Sequence, residues 1–271
     1  MRVGLPPPMP DLKRAPALVA ERGSQLGQPL HVLSLTTSTS DEAKQAAKQG
    51  APHGATWVAE QQTAGRGRQG RTWESPHGEN LLFSVLLRVA CPPSRIPPIA
   101  LVAGLAVRDA VARAAPGVDV RIKWPNDVLV DGRKIAGVLV EAITVGSRVE
   151  AVIVGIGLNV HTRVFPDELR ARATSVALIA PHPPDRAELL ADILATLDRD
   201  AHVVVARGLG LLRPRLEAAD ALRGKRVKSD AGDRGKVDEG VASGIDDEGR
   251  LLVRRDDGVV ARWSAGEVHL V

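Results

Sequence analysis

The chain has 271 residues, of which 44% are hydrophobic and 25% charged, so it can form one large domain or a large and a small one. Its formal net charge of +4 favours anionic partners such as nucleotides, acidic proteins or nucleic acid. A lone cysteine, Cys91, excludes an internal disulfide, and neither a signal peptide nor a membrane-spanning run is recognisable, so we expect a cytoplasmic protein.

The first part of the chain predicts a strand and a helix behind a proline-rich start. Residues 1–30 form an N-terminal extension that is weakly helical, and "HVLSL" (31–35) predicts a strand. In the next segment, Thr39 and Glu42 have the spacing of a helix capping box, and Gly50 is a plausible helix stop.

The middle of the chain predicts strands around a long buried helix. "ATWVAEQQ" and residues 80–89 predict strands on either side of a loop, and residues 96–117 have apolar positions at helical spacing. Asp131-Gly132 then joins two apolar runs and is a strong hairpin signal, because both residues tolerate positive φ. A further strand is expected over residues 148–160.

The last third predicts one long helix and then a separate β-rich unit. Residues 185–208 are amphipathic, with Asp185 as the helix N-cap. From about Gly224 onward, short apolar runs alternate with turn sequences, which indicates a small β-barrel or sandwich at the C-terminus.

The loop between the two strands carries alternating glycines and arginines, namely Gly65, Arg66, Gly67, Arg68, Gly70 and Arg71. The glycines have the spacing of a dinucleotide-binding fingerprint, but no helix follows to receive a pyrophosphate. A Walker loop also fails, since no Lys-Ser or Lys-Thr follows the glycines. We therefore predict a flexible loop whose guanidinium groups bind carboxylate or phosphate oxygens, with a solvated basic loop as the alternative.

"KWPND", residues 123–127, predicts a polar strand end. Pro125 favours an extended Trp124, which would continue the strand. Asn126 and Asp127 would then accept from a ribose, hold Mg²⁺ or order phosphates, and a plain Asn-Asp turn is the alternative.

Two further clusters lie on the strands that follow. Lys134 comes just after the hairpin turn, where it is either solvated or a fixed charge facing a developing anion, and Gly137 indicates a close approach to its strand. "GIGLNV" (155–160) places two glycines in an apolar strand that ends near Asn159, which predicts either a stacked flat ligand or a β-bulge. Together with the arginine loop, these features are suited to binding ATP beside a carboxylate and transferring an adenylyl group.

These segments resemble a known family. "AEQQTAGRGRQGR", "KWPNDVLVDGRKIAGVLVE" and "GIGLNV", with "TSTSDEAK" upstream, closely resemble biotin protein ligases, in order from about residue 31 to 271. The resemblance implies an α/β (α+β) fold with a class II synthetase-like mixed sheet, flanking helices and a small SH3-like C-terminal β-barrel. It also implies a catalytic domain over 31–222 and a C-terminal domain over 223–271.

The resemblance implies a two-step reaction that uses biotin, ATP and Mg²⁺. Biotin and ATP give biotinyl-5′-AMP and pyrophosphate, and a lysine of a biotin carboxyl carrier protein then receives the biotin. The implied biotin-binding positions are Ser38, Thr39, Ser40, Gln62, Gly65, Arg66, Gly67, Arg68, Lys134 and Gly137. The implied ATP and adenylate positions are Arg68, Arg71, Trp73, Lys123, Asn126, Asp127 and Asn159.

Among these positions, Lys134, Arg66 and Arg68 are the implied catalytic residues, and Asn126 and Asp127 the implied metal ligands. The chain departs from the family pattern at Ser40, which stands where the family has an asparagine, so we expect altered biotin contacts. We expect no DNA partner, because the N-terminal DNA-binding domain of bifunctional members is not recognisable, and either a monomer or a homodimer.

Three other functions remain open from the sequence. A lipoate or octanoate ligase of the same fold would differ only in its pocket. A nucleic-acid-binding protein would use the basic loop and the C-terminal barrel, and its affinity would fall steeply with salt. A non-catalytic module would bind biotin or a nucleotide without consuming ATP.

Overall fold

In the computed structural model, which describes residues 9–89, 91–145, 148–230 and 237–271, two β-sheets are arranged with helices packed on the larger one. The helices in chain order are α1 (Ala15–Glu21), α2 (Thr39–Lys48), α3 (Ile96–Ala114), α4 (Asp167–Arg170), α5 (Val176–Ile179), α6 (Arg186–Arg207) and α7 (Arg213–Ala219). The strands are β1 (Leu30–Leu33), β2 (Thr56–Ala59), β3 (Leu81–Leu87), β4 (Val120–Lys123), β5 (Asp127–Val130), β6 (Arg133–Val145), β7 (Arg148–Leu158), β8 (Arg226–Ser229), β9 (Asp238–Ile245), β10 (Leu251–Arg254), β11 (Val260–Trp263) and β12 (Val268–Leu270).

The larger sheet is mixed, as the sequence analysis expects. Its strand order is β1-β2-β3-β7-β6-β5-β4, with β1 and β2 parallel and all other neighbours antiparallel. The hairpin predicted between β5 and β6 is confirmed, since Asp131 and Gly132 have φ values of 49° and 77°. β3 and β7 are therefore central strands, and residues on them lie in the middle of the molecule.

Helices cover both faces of this sheet, because side chains alternate along each strand. On β3, Phe83 and Val85 belong to the main core with α3 and α6, whereas Leu86 packs on the opposite face against Ala43 and Ala47 of α2. Small residues on α2 bring that helix close to the sheet. The start of α2 is thereby held directly above β3 and β7.

Two local predictions about helix starts have different outcomes. The Asp185 cap of α6 is confirmed, because its side chain accepts from the backbone N–H of Glu188 at 2.9 Å. The capping box at Thr39 is wrong, since α2 begins at that residue and Ser38 is the N-cap. The Glu42 carboxylate instead accepts from the Thr36 hydroxyl at 2.7 Å, because Thr36 lies beside the first turn of the helix.

The N-terminal segment packs into the main core beside the larger sheet. Leu12, Val19 and Leu26 are fully buried in it. The proline-rich start predicted within residues 1–30 lies partly outside the described residues, which begin at residue 9.

A buried arginine joins this segment to the rest of the fold. Arg186, which is 1% exposed, contacts Glu60 at 2.6 Å and Asp11 at 2.8 Å. Burial opposes the charge of the guanidinium, but the hydrogen bonds to Asp11 and Glu60 outweigh it and raise the pKa of Arg186. These two ion pairs connect α6 with the N-terminal segment and with Glu60, the residue that follows β2.

The smaller sheet follows the chain order β11-β10-β9-β8-β12 and is antiparallel throughout, which agrees with the predicted C-terminal β-rich unit. Trp263 is fully buried in it and donates from Nε1 to Asp238 at 2.8 Å. Within the described ranges, none of the helices has the length and apolar character needed to cross a bilayer.

We expect Arg186→Ala to lower the free energy of unfolding by about 3–5 kcal/mol, because it leaves Glu60 buried without its counter-charge. Chemical denaturation measures this value. The matched control is Arg170→Ala, whose arginine and partner Asp167 are 71% and 88% exposed, and which should change stability by less than about 0.5 kcal/mol. Equal effects of the two substitutions would contradict the proposed importance of the buried pair.

Candidate active site

One cleft of about 960 Å³, including its open mouth, lies over the centre of the larger sheet. Its walls come from the start of α2, the arginine loop, the β4–β5 turn, β6, β7 and the segment before β12. Of the residues predicted from the sequence, the cleft is lined by Ser38, Thr39, Ser40, Gln62, Arg66, Gly67, Arg68, Arg71, Trp73, Lys123, Asn126, Asp127, Lys134 and Gly137. The fold thus brings together residues that are up to 99 positions apart in the chain (137 − 38).

Hydroxyl groups and an amide form the floor of the cleft. The Thr39 backbone N–H donates to Gln62 Oε1 at 2.8 Å, and the Thr39 hydroxyl lies 3.1 Å from the same oxygen. Ser84 of β3 contacts the hydroxyls of Thr39 and Ser40 at 2.8 Å and 3.0 Å. The sequence analysis missed Ser84, although a serine in the middle of the apolar run "LLFSVLL" is a signal that could have identified it.

The arginine loop folds back on itself as a small hairpin. Gly67 N–H donates to Arg71 O at 2.7 Å, and Trp73 N–H donates to Gly65 O at 2.9 Å. Gln69 at the tip has a φ of 55°. Most side chains of this hairpin are exposed, so it has little apolar packing against the rest of the fold. Ion pairs with neighbouring elements instead hold it over the cleft.

Arg66 is held by two carboxylates of the larger sheet and its helix. Its Nη2 lies 2.8 Å from Asp41 on α2 and 3.3 Å from Glu141 on β6. Glu141 also pairs with Lys44 at 2.5 Å. Neither carboxylate was identified from the sequence, because a surface Asp or Glu in an amphipathic element carries no distinguishing pattern.

Two more cations of the cleft have carboxylate partners. Arg71 pairs with Glu267, which precedes β12 and so belongs to the C-terminal sheet. Lys134 Nζ lies 2.6 Å from Asp127 and 5.5 Å from the centre of the Trp73 ring. Of the two alternatives left open for Lys134, these contacts favour a fixed charge inside the cleft over a solvated side chain.

Arg68 and Lys123 differ from the other cations of the cleft. Neither forms an ion pair with a carboxylate in the part of the chain that the structure describes, and Arg68 Nη1 donates to the amide oxygen of Asn126 at 3.3 Å. Burial lowers the pKa of Arg68, because the guanidinium is partly removed from water. These two side chains therefore offer positive charge that is not neutralised by a direct partner.

Trp73 occupies the space that the strand glycines leave free. A Cβ at Gly157 would lie 2.5 Å from the indole, and a Cβ at Gly137 would lie 3.2 Å from it. The β-bulge expected as one alternative for "GIGLNV" is wrong, because β7 keeps a regular register with β3 and β6 over these residues. The glycines leave room for the large ring of Trp73, whose Nε1 is buried and has no hydrogen-bond partner among the described residues.

The polar strand end differs in detail from its prediction. Trp124 was expected to continue β4, and this is wrong: Lys123 pairs with Asp127, so residues 124–126 form the turn between two antiparallel strands. Asn126 is fixed in that turn, since its Nδ2 donates to Val138 O at 2.8 Å. The side-chain oxygens of both residues contact cations of the cleft: Asn126 Oδ1 accepts from Arg68, and Asp127 pairs with Lys134.

Two predicted residues do not line the cleft. The Asn159 amide donates to Thr174 O at 3.0 Å, outside the cleft. Gly65 lies at the base of the hairpin, where a Cβ would be 2.4 Å from Trp73 O. Their implied roles at the ligands stay predictions, and their observed contacts are with the protein itself.

Family models match most of the chain. Residues 32–159 match the "Biotin/lipoate A/B protein ligase family", and residues 224–271 match the "Biotin protein ligase C terminal domain". Among curated proteins, the chain is 36% identical over 242 residues to the bifunctional ligase/repressor BirA of Bacillus subtilis, covering 89% of this chain and 74% of that protein. It is 35% identical over 249 residues to the biotin–[acetyl-CoA-carboxylase] ligase of Mycobacterium tuberculosis, covering 89% of each chain.

A solved structure has the same architecture. The biotin protein ligase from Aquifex aeolicus in complex with biotin and ATP superposes with a TM-score of 0.76 at 30% identity, covering 89% of this chain and 98% of that one. The Mycobacterium tuberculosis and Aquifex aeolicus proteins are named for biotin, which favours a biotin ligase over the lipoate alternative. From its sequence identity over most of its length, the two family models and this fold, the chain belongs to the biotin protein ligase family and is a ligase.

Proposed function

We propose that this protein forms biotinyl-5′-AMP from biotin and ATP and transfers the biotin to a lysine of a biotin carboxyl carrier domain. The observation that carries the proposal is the concentration of cations and hydroxyl groups in one cleft, where Arg68 and Lys123 form no direct ion pair with a carboxylate of the described residues. A carboxylate and a triphosphate repel each other, so a site that joins them needs fixed positive charge. A non-catalytic module that bound biotin alone would have no triphosphate charge to neutralise.

The two ends of the cleft suit the two substrates. The hydroxyls of Thr39 and Ser40 and the Gln62 amide offer polar contacts to the biotin ring system, at the N-terminus of α2. Lys123, Asn126 and Asp127 lie at the other polar wall, where they would receive ATP. Arg68 lies between them, since it contacts Asn126 and belongs to the hairpin that covers the floor.

The proposed reaction has two steps, an adenylation and a transfer. A biotin carboxylate oxygen attacks the α-phosphorus of ATP and pyrophosphate leaves, giving the mixed anhydride. The carrier lysine, as a neutral amine, then attacks the biotinyl carbonyl, AMP leaves, and the amine loses a proton. Lys134 and Arg68 would stabilise the negative charge that develops on the phosphoryl and carbonyl oxygens in these steps.

The ion pairs of the cleft would change partners during binding. Arg71 and Lys134 are now neutralised by Glu267 and Asp127, and substrate oxygens would replace these carboxylates. The hairpin would close over the adenylate and exclude water, which protects an anhydride from hydrolysis.

The donor set at the β4–β5 turn fits Mg²⁺. Asn126 and Asp127 present side-chain oxygens, which Mg²⁺ prefers, and one or two such ligands suffice where substrate phosphates and water complete the shell. When bound, the ion would neutralise phosphate charge as a Lewis acid. Asp127 would hold it only after its contact with Lys134 loosens.

We also infer a cytoplasmic location, from the lone cysteine, and a carrier protein as the partner of the second step. Nucleotides are anionic partners of the kind that a net charge of +4 favours. The side chains of the basic loop face the cleft, which favours a small anion over an extended nucleic acid.

We expect Arg68→Ala and Lys134→Ala to lower the rate of adenylate formation by about 10²- to 10³-fold, because each removes a charge aimed at the reacting oxygens. Exchange of labelled pyrophosphate into ATP in the presence of biotin measures this step. Arg170→Ala, at an exposed ion pair on α4, is the control and should retain full exchange. Full exchange by both cleft variants would refute the assigned roles.

We expect biotin with ATP to protect the arginine loop from trypsin. Exposed ion pairs such as those that hold this loop are worth about 0–1 kcal/mol each, so the loop opens easily until substrates bridge its arginines. Mass spectrometry of limited digests locates the cleavages after Arg66, Arg68 and Arg71. Cleavage after the exposed Arg170 should stay constant, and equal cleavage of the loop with and without substrates would count against closure.

A further inference from the structure

Ser84 stands at the centre of a chain of hydroxyl groups on the floor of the cleft. It is fully buried on β3, and its Oγ lies 2.8 Å from Thr39 Oγ1 and 3.0 Å from Ser40 Oγ. Each hydroxyl has a single proton to donate. The direction of the whole chain is therefore fixed once one donor is known.

The backbone of α2 supplies that fixed point. The Thr39 N–H can only donate, so the Gln62 atom 2.8 Å from it is the carbonyl oxygen and not the amide nitrogen. The Thr39 hydroxyl, 3.1 Å from the same oxygen, must donate its proton there. Thr39 can then only accept from Ser84.

The same reasoning continues to the end of the chain. Because the Ser84 proton is used on Thr39, Ser84 can only accept from Ser40, and the Ser40 proton is used in turn. At one end, Gln62 Nε2 is left as a donor. At the other end, Ser40 Oγ is left with lone pairs and no proton to offer.

We infer that Ser84 is a specificity-determining residue, which orders the chain Ser40→Ser84→Thr39→Gln62 so that the floor presents an amide donor and a hydroxyl acceptor to the ligand. A ring that carries both a carbonyl oxygen and an N–H matches this pattern, as a cyclic urea does. The inference rests on the proposed function, since the ureido ring of biotin is such a group. It assigns Ser40, which replaces an asparagine of the family pattern, the role of acceptor.

A glycine on the next strand makes room for this arrangement. Gly155 pairs with Ser84 in the β3–β7 register. A Cβ at Gly155 would lie 2.8 Å from Ser40 Oγ and 3.5 Å from Ser84 Oγ. Any larger residue would push Ser40 away from Ser84, so the first glycine of "GIGLNV" serves the hydroxyl chain while the second accommodates Trp73.

The test is Ser84→Ala, which removes the donor to Thr39 and the acceptor for Ser40. We expect the KM for biotin to rise about tenfold, the upper range for one neutral hydrogen bond, while kcat and the KM for ATP stay within about twofold. Steady-state pyrophosphate exchange gives all three constants. Ser84→Cys, which keeps the side-chain shape with a weakly bonding thiol, replaces Ser84→Ala if the alanine variant does not fold, and the same split is expected.

The control is Thr56→Val on the neighbouring strand. Thr56 is fully buried and donates to Gly54 O at 2.9 Å, but it does not line the cleft, so both KM values should stay unchanged. A second readout is the double variant Ser40→Ala/Ser84→Ala. Because both residues act through one chain, its KM for biotin should exceed that of the worse single variant by no more than about twofold.

The outcomes separate this inference from the proposed function. An unchanged KM for biotin in the Ser84 variant, or an equal rise in the KM for ATP, would overturn the role of Ser84 while leaving the ligase assignment intact. Fully multiplicative effects in the double variant would also overturn it. A wild-type protein that makes no biotinyl adenylate would instead refute the proposed function.

Discussion

Repulsion among positive charges gathered in one cleft is the constraint on which the rest of the site depends. Arg66, Arg71 and Lys134 would oppose one another if each were not paired with a carboxylate. The carboxylates that pair with Arg66 lie on α2 and β6, and the one that pairs with Arg71 precedes β12, so neutralising these two arginines also fastens the loop to three parts of the fold. Because exposed pairs are weak, substrate anions can replace them without a large cost.

The recognisable motifs predicted which residues share the cleft, because each motif is continuous in the chain and lies at a strand end or loop. The carboxylate partners could not be predicted in this way. Asp41, Glu141 and Glu267 are ordinary surface acids by sequence, and only the folded chain places them beside arginines that are between 25 (66 − 41) and 196 (267 − 71) positions away. Long-range pairing of this kind has no local pattern.

Two of the wrong predictions share a cause, because in each a tertiary contact overrides a local sequence rule. The Thr39–Glu42 spacing suits a capping box, but the Thr39 hydroxyl is used by Gln62 and Ser84. Pro125 favours an extended Trp124, but the Lys123–Asp127 pairing makes residues 124–126 a turn. In both places the deviation from the local rule lies inside the cleft, where contacts with other parts of the chain, rather than helix or strand propensity, decide the conformation.

The C-terminal sheet is part of this site and not an independent appendage. Trp124 is buried at the β4–β5 turn and donates to Gly249 O at 2.8 Å. The turn between β9 and β10 of the small sheet therefore packs against the segment that carries Asn126 and Asp127. Glu267, just before β12, forms an ion pair with Arg71 of the arginine loop. A shift of the small sheet would therefore move the β4–β5 turn and the arginine loop together.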